Sequence, residues 1–135
     1  MKKKINLITR LSVLVLTTLF LHACNKSDDP SPSFPKNVTV EYKISGTGLS
    51  KVEIVRYTNA TGGTTSLSEI SIPFSVSFNR MTDAGDDLVL SVLHSIPSST
   101  EPLSVKLEIY VDNKLVETET YEGSGRVSGA VVHIF

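Results

Sequence analysis

From residue 37 onward, apolar and polar residues alternate with a period of two. Val38, Val40, Tyr42 and Ile44 are interleaved with Thr39, Glu41 and Lys43. Successive side chains of a strand point to opposite faces, so this is the pattern of a half-buried strand. Ser45-Gly46-Thr47-Gly48 should end it as a hairpin turn. Val52 and Ile54 begin a second strand, and Val55-Arg56-Tyr57 breaks the alternation, which predicts a β-bulge there. Asn59 to Gly63 forms a turn cluster. Ile70, Ile72, Phe74, Val76 and Phe78 then alternate across Pro73. Proline cannot donate to a strand ladder, so this run is an edge strand or is broken at Pro73.

The pattern continues to the C-terminus. Asp83 to Asp87 is a turn, Leu88 to Leu93 a strand and Ser95 to Ser99 a loop. Leu103, Val105, Leu107, Ile109 and Val111 point one way, with Ser104, Lys106, Glu108 and Tyr110 on the other side. Asp112-Asn113 stands where a tight hairpin turn belongs, because both residues tolerate positive φ. Lys114 to Glu122 returns, Gly123-Ser124-Gly125 turns the chain, and Arg126 to Phe135 is the last strand. Nothing in this stretch has helical periodicity. Seven or so short strands across roughly 100 residues predict an all-β fold, an immunoglobulin-like antiparallel β-sandwich. The Cys…Trp…Cys hallmark of antibody domains cannot occur: the chain has no Trp, and its one Cys, Cys24, precedes the domain.

Residues 1–36 follow a different pattern. Lys2-Lys3-Lys4 precedes an apolar stretch from Leu11 to Leu21. A positive start followed by an apolar core reads as a secretory signal peptide, residues 1–23. A retained anchor helix is the competing reading, but it needs roughly 20 apolar residues and Arg10 bounds the stretch too early. The formal net charge is −1, but Lys2, Lys3, Lys4 and Arg10 all lie before Cys24. Without them, nine basic residues face fourteen acidic ones, a charge of −5. That balance speaks against nucleic acid as a partner, because such binding needs a clustered basic face.

Leu21-His22-Ala23-Cys24 resembles a lipobox, the site where bacteria lipidate a Cys thiol and cleave just before it. The resemblance assigns lipidation to Cys24 and signal-peptidase recognition to Leu21 and Ala23. His22 departs from the small or apolar residue usual at its position. Lipidation would also account for a secreted Cys with no disulfide partner. A multiply acylated Cys24 would be a stable membrane anchor with no protein contact to the lipid. Residues 24–36 are then the lipidated Cys and a tether rich in Pro, Ser and Asp. Its Lys26-Ser27-Asp28-Asp29 is similar to the acidic signal that sends lipoproteins to the outer face of Bacteroidota-type outer membranes; the plain alternative is a solvated charged linker. The expected location is the cell envelope, in the outer membrane of a Gram-negative bacterium, on its periplasmic or its surface face.

Residues 37–135 carry little that points to chemistry. Gly46-Thr47-Gly48 has no third glycine and no following helix, so it is not a dinucleotide loop. Asp83, Asp86 and Asp87 lack the spacing of an EF-hand. His94 and His133 have no partners at metal-ligand spacing, and a zinc site needs three or four ligands. No Gly-x-Ser-x-Gly elbow is present. The expectation is a protein that is not an enzyme, without catalytic residues, metal or cofactor.

Residues 38–134 resemble the MmpS family, small mycobacterial membrane proteins that accompany exporters of lipids and siderophores. The matching pieces are Val40-Glu41-Tyr42-Lys43-Ile44-Ser45-Gly46, Val52-Glu53-Ile54 with Tyr57-Thr58-Asn59, Ile72-Pro73-Phe74-Ser75-Val76-Ser77, and Ile109-Tyr110-Val111-Asp112-Asn113-Lys114-Leu115-Val116. The resemblance implies a sandwich and an envelope transporter as partner, and it supplies no catalytic residues. The family's transmembrane helix and late Cys pair are absent here; Leu107 and Val132 stand near the places of that pair. The expected function is an accessory or binding module of the envelope. One rival is a surface module for a glycan or host ligand, with Tyr42, Tyr57, Tyr110 and Tyr121 as candidate contacts and Tyr110 the best of them. A structural spacer is the other.

Overall fold

The computed structural model describes residues 33–95 and 101–135, and Leu21, Ala23 and Cys24 lie outside that range. The described residues form eight strands. They are β1 (Lys36–Thr47), β2 (Lys51–Thr58), β3 (Thr64–Ser71), β4 (Phe74–Thr82), β5 (Asp87–Ser95), β6 (Pro102–Val111), β7 (Lys114–Ser124) and β8 (Arg126–Ile134). Two four-stranded antiparallel sheets, ordered β4-β1-β6-β7 and β3-β2-β5-β8, pack face to face. The fold is the expected all-β, immunoglobulin-like sandwich.

The period-two stripes make the core. Val40 pairs with Val111, Tyr42 with Ile109 and Ile44 with Leu107, so the apolar faces of β1 and β6 lie side by side. Opposite them sit Val52, Val55 and Tyr57 from β2, and Leu88, Leu90 and Val92 from β5, all buried. Fully burying such a side chain contributes about 1.5–3 kcal/mol relative to leaving it in water. The Asp112-Asn113 turn forms as expected, with φ of 50° and 65°, and joins β6 to β7 in two residues.

One expectation is refined and two need correction. The strands number eight rather than seven, because the run through Pro73 divides. Its first half is β3 in one sheet and its second half is β4 in the other, and each ends as an edge strand. Pro73 has no N–H for a ladder, so the crossing between sheets falls there. Second, Gly46-Thr47-Gly48 is not a hairpin turn. β1 continues through Thr47 by pairing with β6, and Gly48 begins a crossover to β2 in the opposite sheet. Gly46 permits the pairing, since a Cβ there would lie 2.4 Å from the Ser104 carbonyl oxygen. Third, β2 carries no β-bulge: Lys51 and Val52 pair with β3 in the same register as the residues that follow, so no extra residue is inserted. Ile54 to Thr58 keep one register with β3, while Glu53 and Glu69 are left out of the pairing and Glu69 has φ of 54°. The inward side changes phase there, from Val52 to Val55 and Tyr57.

Candidate functional site

Strand phase sorts the four tyrosines. Tyr42 shares the phase of Val38, Val40 and Ile44 and is wholly buried. Its hydroxyl donates to the Thr58 carbonyl at 2.9 Å, and its ring packs 5.4 Å from Tyr57 and 5.9 Å from Phe78. Burial pushes the Tyr42 phenol well above the usual tyrosine range. Tyr57 is buried as well, so neither can serve as an exposed aromatic contact. Tyr121 is half-buried and belongs to a seam between the sheets, described below.

Tyr110 has the opposite phase to Ile109 and lies half-buried on the outer face of its sheet, with Lys106 and Glu108 on the same side. That face carries a ladder of alternating charge. Lys106 bonds Glu108 at 2.6 Å, Glu108 also accepts from the Tyr110 hydroxyl at 3.4 Å, and Lys43 sits 4.5 Å above the Tyr110 ring. Lys43 in turn pairs with Glu41 at 3.2 Å. The Glu108 hydrogen bond raises the Lys106 ammonium above its ordinary range. A flat sugar would have to displace Lys43 to stack on Tyr110.

The acidic turn after β4 is tied into the fold. Asp86 pairs with Arg80 at 2.9 Å and accepts from the Asp83 backbone N–H, and Arg80 also donates to the Asp87 carbonyl at 3.0 Å. Arg80 is buried, and sequence reasoning passed over it. The signal was there: Arg80 continues the inward phase of Phe74, Val76 and Phe78, and three aspartates follow closely. Asp112 plays a similar part. It accepts from the Thr39 backbone N–H at 2.9 Å and from Lys36 at 3.0 Å, and these bonds hold its carboxyl below the usual carboxylate range, the Thr39 bond most of all. His133 lies beside Glu117 at 3.6 Å and edge-on to Phe135.

Among the described residues one buried side chain remains unmatched. His94 continues the inward phase of Leu88, Leu90 and Val92 at the end of β5 and is 8% exposed. Both ring nitrogens are buried and have no hydrogen-bond partner. An unmet buried donor or acceptor costs about 1–3 kcal/mol, so such groups call for an account. His94 borders an open pocket of about 430 Å³ with Leu49, Lys51, Glu53, Glu69 and Ser95. Lys51 and Glu69 form an ion pair across its rim. The lining offers carboxylate acceptors and an ammonium donor around the apolar Leu49 and the ring of His94, whose nitrogens are turned away from solvent. That suits a small hydroxyl-bearing or zwitterionic molecule. Among the described residues no three His, Cys, Asp or Glu side chains gather as metal ligands. The sequence does not announce the pocket, because its glycines suggest a hairpin where a crossover brings Leu49 and Lys51 near His94.

No protein-family model matches the chain, and no curated protein matches it in sequence.

Proposed function

We propose that this chain is a lipid-anchored envelope protein whose sandwich is a non-enzymatic accessory or binding module. The observation that carries the reading is how the polar groups of the sandwich are used. Asp86, Asp112, Glu108 and Tyr42 are each engaged in bonds that join separate strands or brace one sheet face. Such groups stiffen a surface for recognition; they are not poised for proton transfer. The lipobox-like Leu21-His22-Ala23-Cys24 supports anchoring through Cys24, and the MmpS-like pieces support an envelope exporter as partner. Labelled palmitate should enter the wild-type chain and not Cys24→Ala. Crosslinking in intact cells should capture an envelope protein, and recovery of the chain alone would refute the accessory role.

The His94 pocket favours a second reading, in which the domain binds a glycan or host ligand directly. In that case glycan-array binding should fall at least about tenfold in Glu53→Ala, the loss expected for a buried polar contact. Binding that survives Glu53→Ala and falls in Tyr110→Ala would move the site to the outer face.

A further inference from the structure

Edge strands of opposite sheets meet along one side of the sandwich and stay apart along the other. On one, β7 covers β8: Glu117 meets His133, and the Tyr121 hydroxyl donates to the Ala130 carbonyl at 2.5 Å. On the other lie β3 and β4, and there the apolar side chains Leu67, Ile70, Ile72, Phe74, Val76 and Phe78 are only partly buried.

Edge strands expose unpaired N–H and C=O groups, and proteins usually blunt them with charge, bulges or breaks. Three of the four edges here are blunted. β7 carries Glu117, Glu119 and Glu122 and has a register shift opposite Ile109 and Tyr110. β3 is broken at Glu69 by its positive φ. β8 is covered by β7. β4 alone is unblunted. It pairs with β1 in one register from Phe74 to Thr82, and among the described residues no strand pairs with its other side. Its outward side chains, Ser75, Ser77, Asn79 and Met81, carry no charge, and Met81 is 61% exposed. Its one charged residue, Arg80, points inward to Asp86.

The sequence of this edge names its occupant. Phe74-Ser75-Val76-Ser77-Phe78 is a palindrome. We infer that β4 pairs antiparallel with β4 of a second copy, about a two-fold axis at Val76. Val76 then meets Val76, Phe74 meets Phe78 and Ser75 meets Ser77, so apolar faces apolar on the inner side and hydroxyl faces hydroxyl on the outer. No like charges meet. A two-fold interface requires this kind of self-complementary patch, and aromatic and hydroxyl cross-strand pairs stabilise antiparallel strands. The pairing joins two β4-β1-β6-β7 sheets into one of eight strands. It ends where Pro73, which has no N–H, falls opposite Asn79.

The test uses purified full-length chain in detergent. One tagged copy carries Ser75→Cys and a differently tagged copy carries Ser77→Cys; they are mixed and oxidised. Mixed-tag disulfide dimers should exceed those of a Thr118→Cys and Thr120→Cys mixture on β7 at least about fivefold, because only directly opposed strand residues approach closely enough. A mixture of wild-type copies sets the background from Cys24. Equal yields from the two mixtures overturn the inference. Sedimentation gives an independent check: Ser77→Lys, an outward charge, should convert dimer to monomer, with the melting temperature of wild type diluted until it is a monomer. A wild-type chain that sediments as a monomer, or a dimer that survives Ser77→Lys, overturns it too. So does preferential capture of a foreign protein by Ser77→Cys in a cell extract, which would assign the edge to another partner.

Discussion

The two seams are built from the same material and finished differently. One joins edge strands of opposite sheets, and at the other the edge strands β3 and β4 stay apart. At the β7/β8 seam the finish is internal: Tyr121 lies on Gly129, where an added Cβ would come within 2.3 Å of the ring, and its hydroxyl reaches Ala130. An aromatic ring laid over a strand glycine restores the packing that the missing side chain leaves out. At the β3/β4 seam Phe74, Val76 and Phe78 pack against the core yet keep contact with water. One side of the sandwich is complete in a single chain, and the other is left for something to cover.

The contrast is broken most forcefully at Gly129. Valine there must expel the Tyr121 ring and its bond to Ala130, and overpacking of this kind costs about 3 kcal/mol. Urea unfolding should show that loss, together with faster hydrogen exchange along β8. If Gly129→Val is as stable as wild type, the ring does not close the seam.

Arg80→Ala should follow in size. It strips a buried cation from the end of the open side and removes one donor from Asp86, which keeps the Asp83 N–H, and one from the Asp87 carbonyl. Breaking a buried pair costs about 3–5 kcal/mol, but Asp86 is about a third exposed, so about 2 kcal/mol is expected by thermal or urea unfolding. A change below about 0.5 kcal/mol would mean that the pair is no more than a surface contact.

Phe78→Ala tests the open side itself. Removing a fully buried Phe costs about 3–5 kcal/mol; for this partly buried one about 1.5 kcal/mol is expected. In the paired state described above the loss should grow with protein concentration, because Phe78 is then covered on both sides. A cost that equals that of the core change Ile109→Ala at every concentration would mean the seam is not open.

Strand phase made much of this legible beforehand. Tyr42 in step with Val40 and Ile44, and Tyr110 out of step with Ile109, already separated a core residue from a face residue. The Asp112-Asn113 turn was legible because its demand for positive φ is local. What phase does not encode is which strand lies beside which. Pro73 announced an interruption, but only the assembled sheets show that the chain changes sheet there. Gly46 and Gly48 looked like a turn because glycine marks both turns and close backbone approaches, and here Gly46 serves the second. The His94 pocket depends wholly on that crossover, so no local signal could reveal it.

The smallest expected effect lies at the turn that opens the closed edge. Asp112 ties the start of β7 back to β1 through Thr39 and Lys36, and its folded carboxyl titrates below its unfolded value. A depressed carboxyl stabilises the fold fully above the unfolded value and loses that contribution as pH falls through the folded one. The side chain is nearly half exposed, so solvent screening reduces the effect to a few tenths of a kcal/mol. Asp112→Asn should therefore flatten the decline in stability between about pH 5 and pH 3, the range where unfolded carboxylates take up protons, with little change near neutrality. Because the Thr39 bond is the larger cause, Lys36→Met should leave most of the depression in place when the Asp112 carboxyl is titrated by NMR. A carboxyl that returns to its ordinary range in Lys36→Met would show that the ion pair, and not the backbone, holds this end of the closed edge.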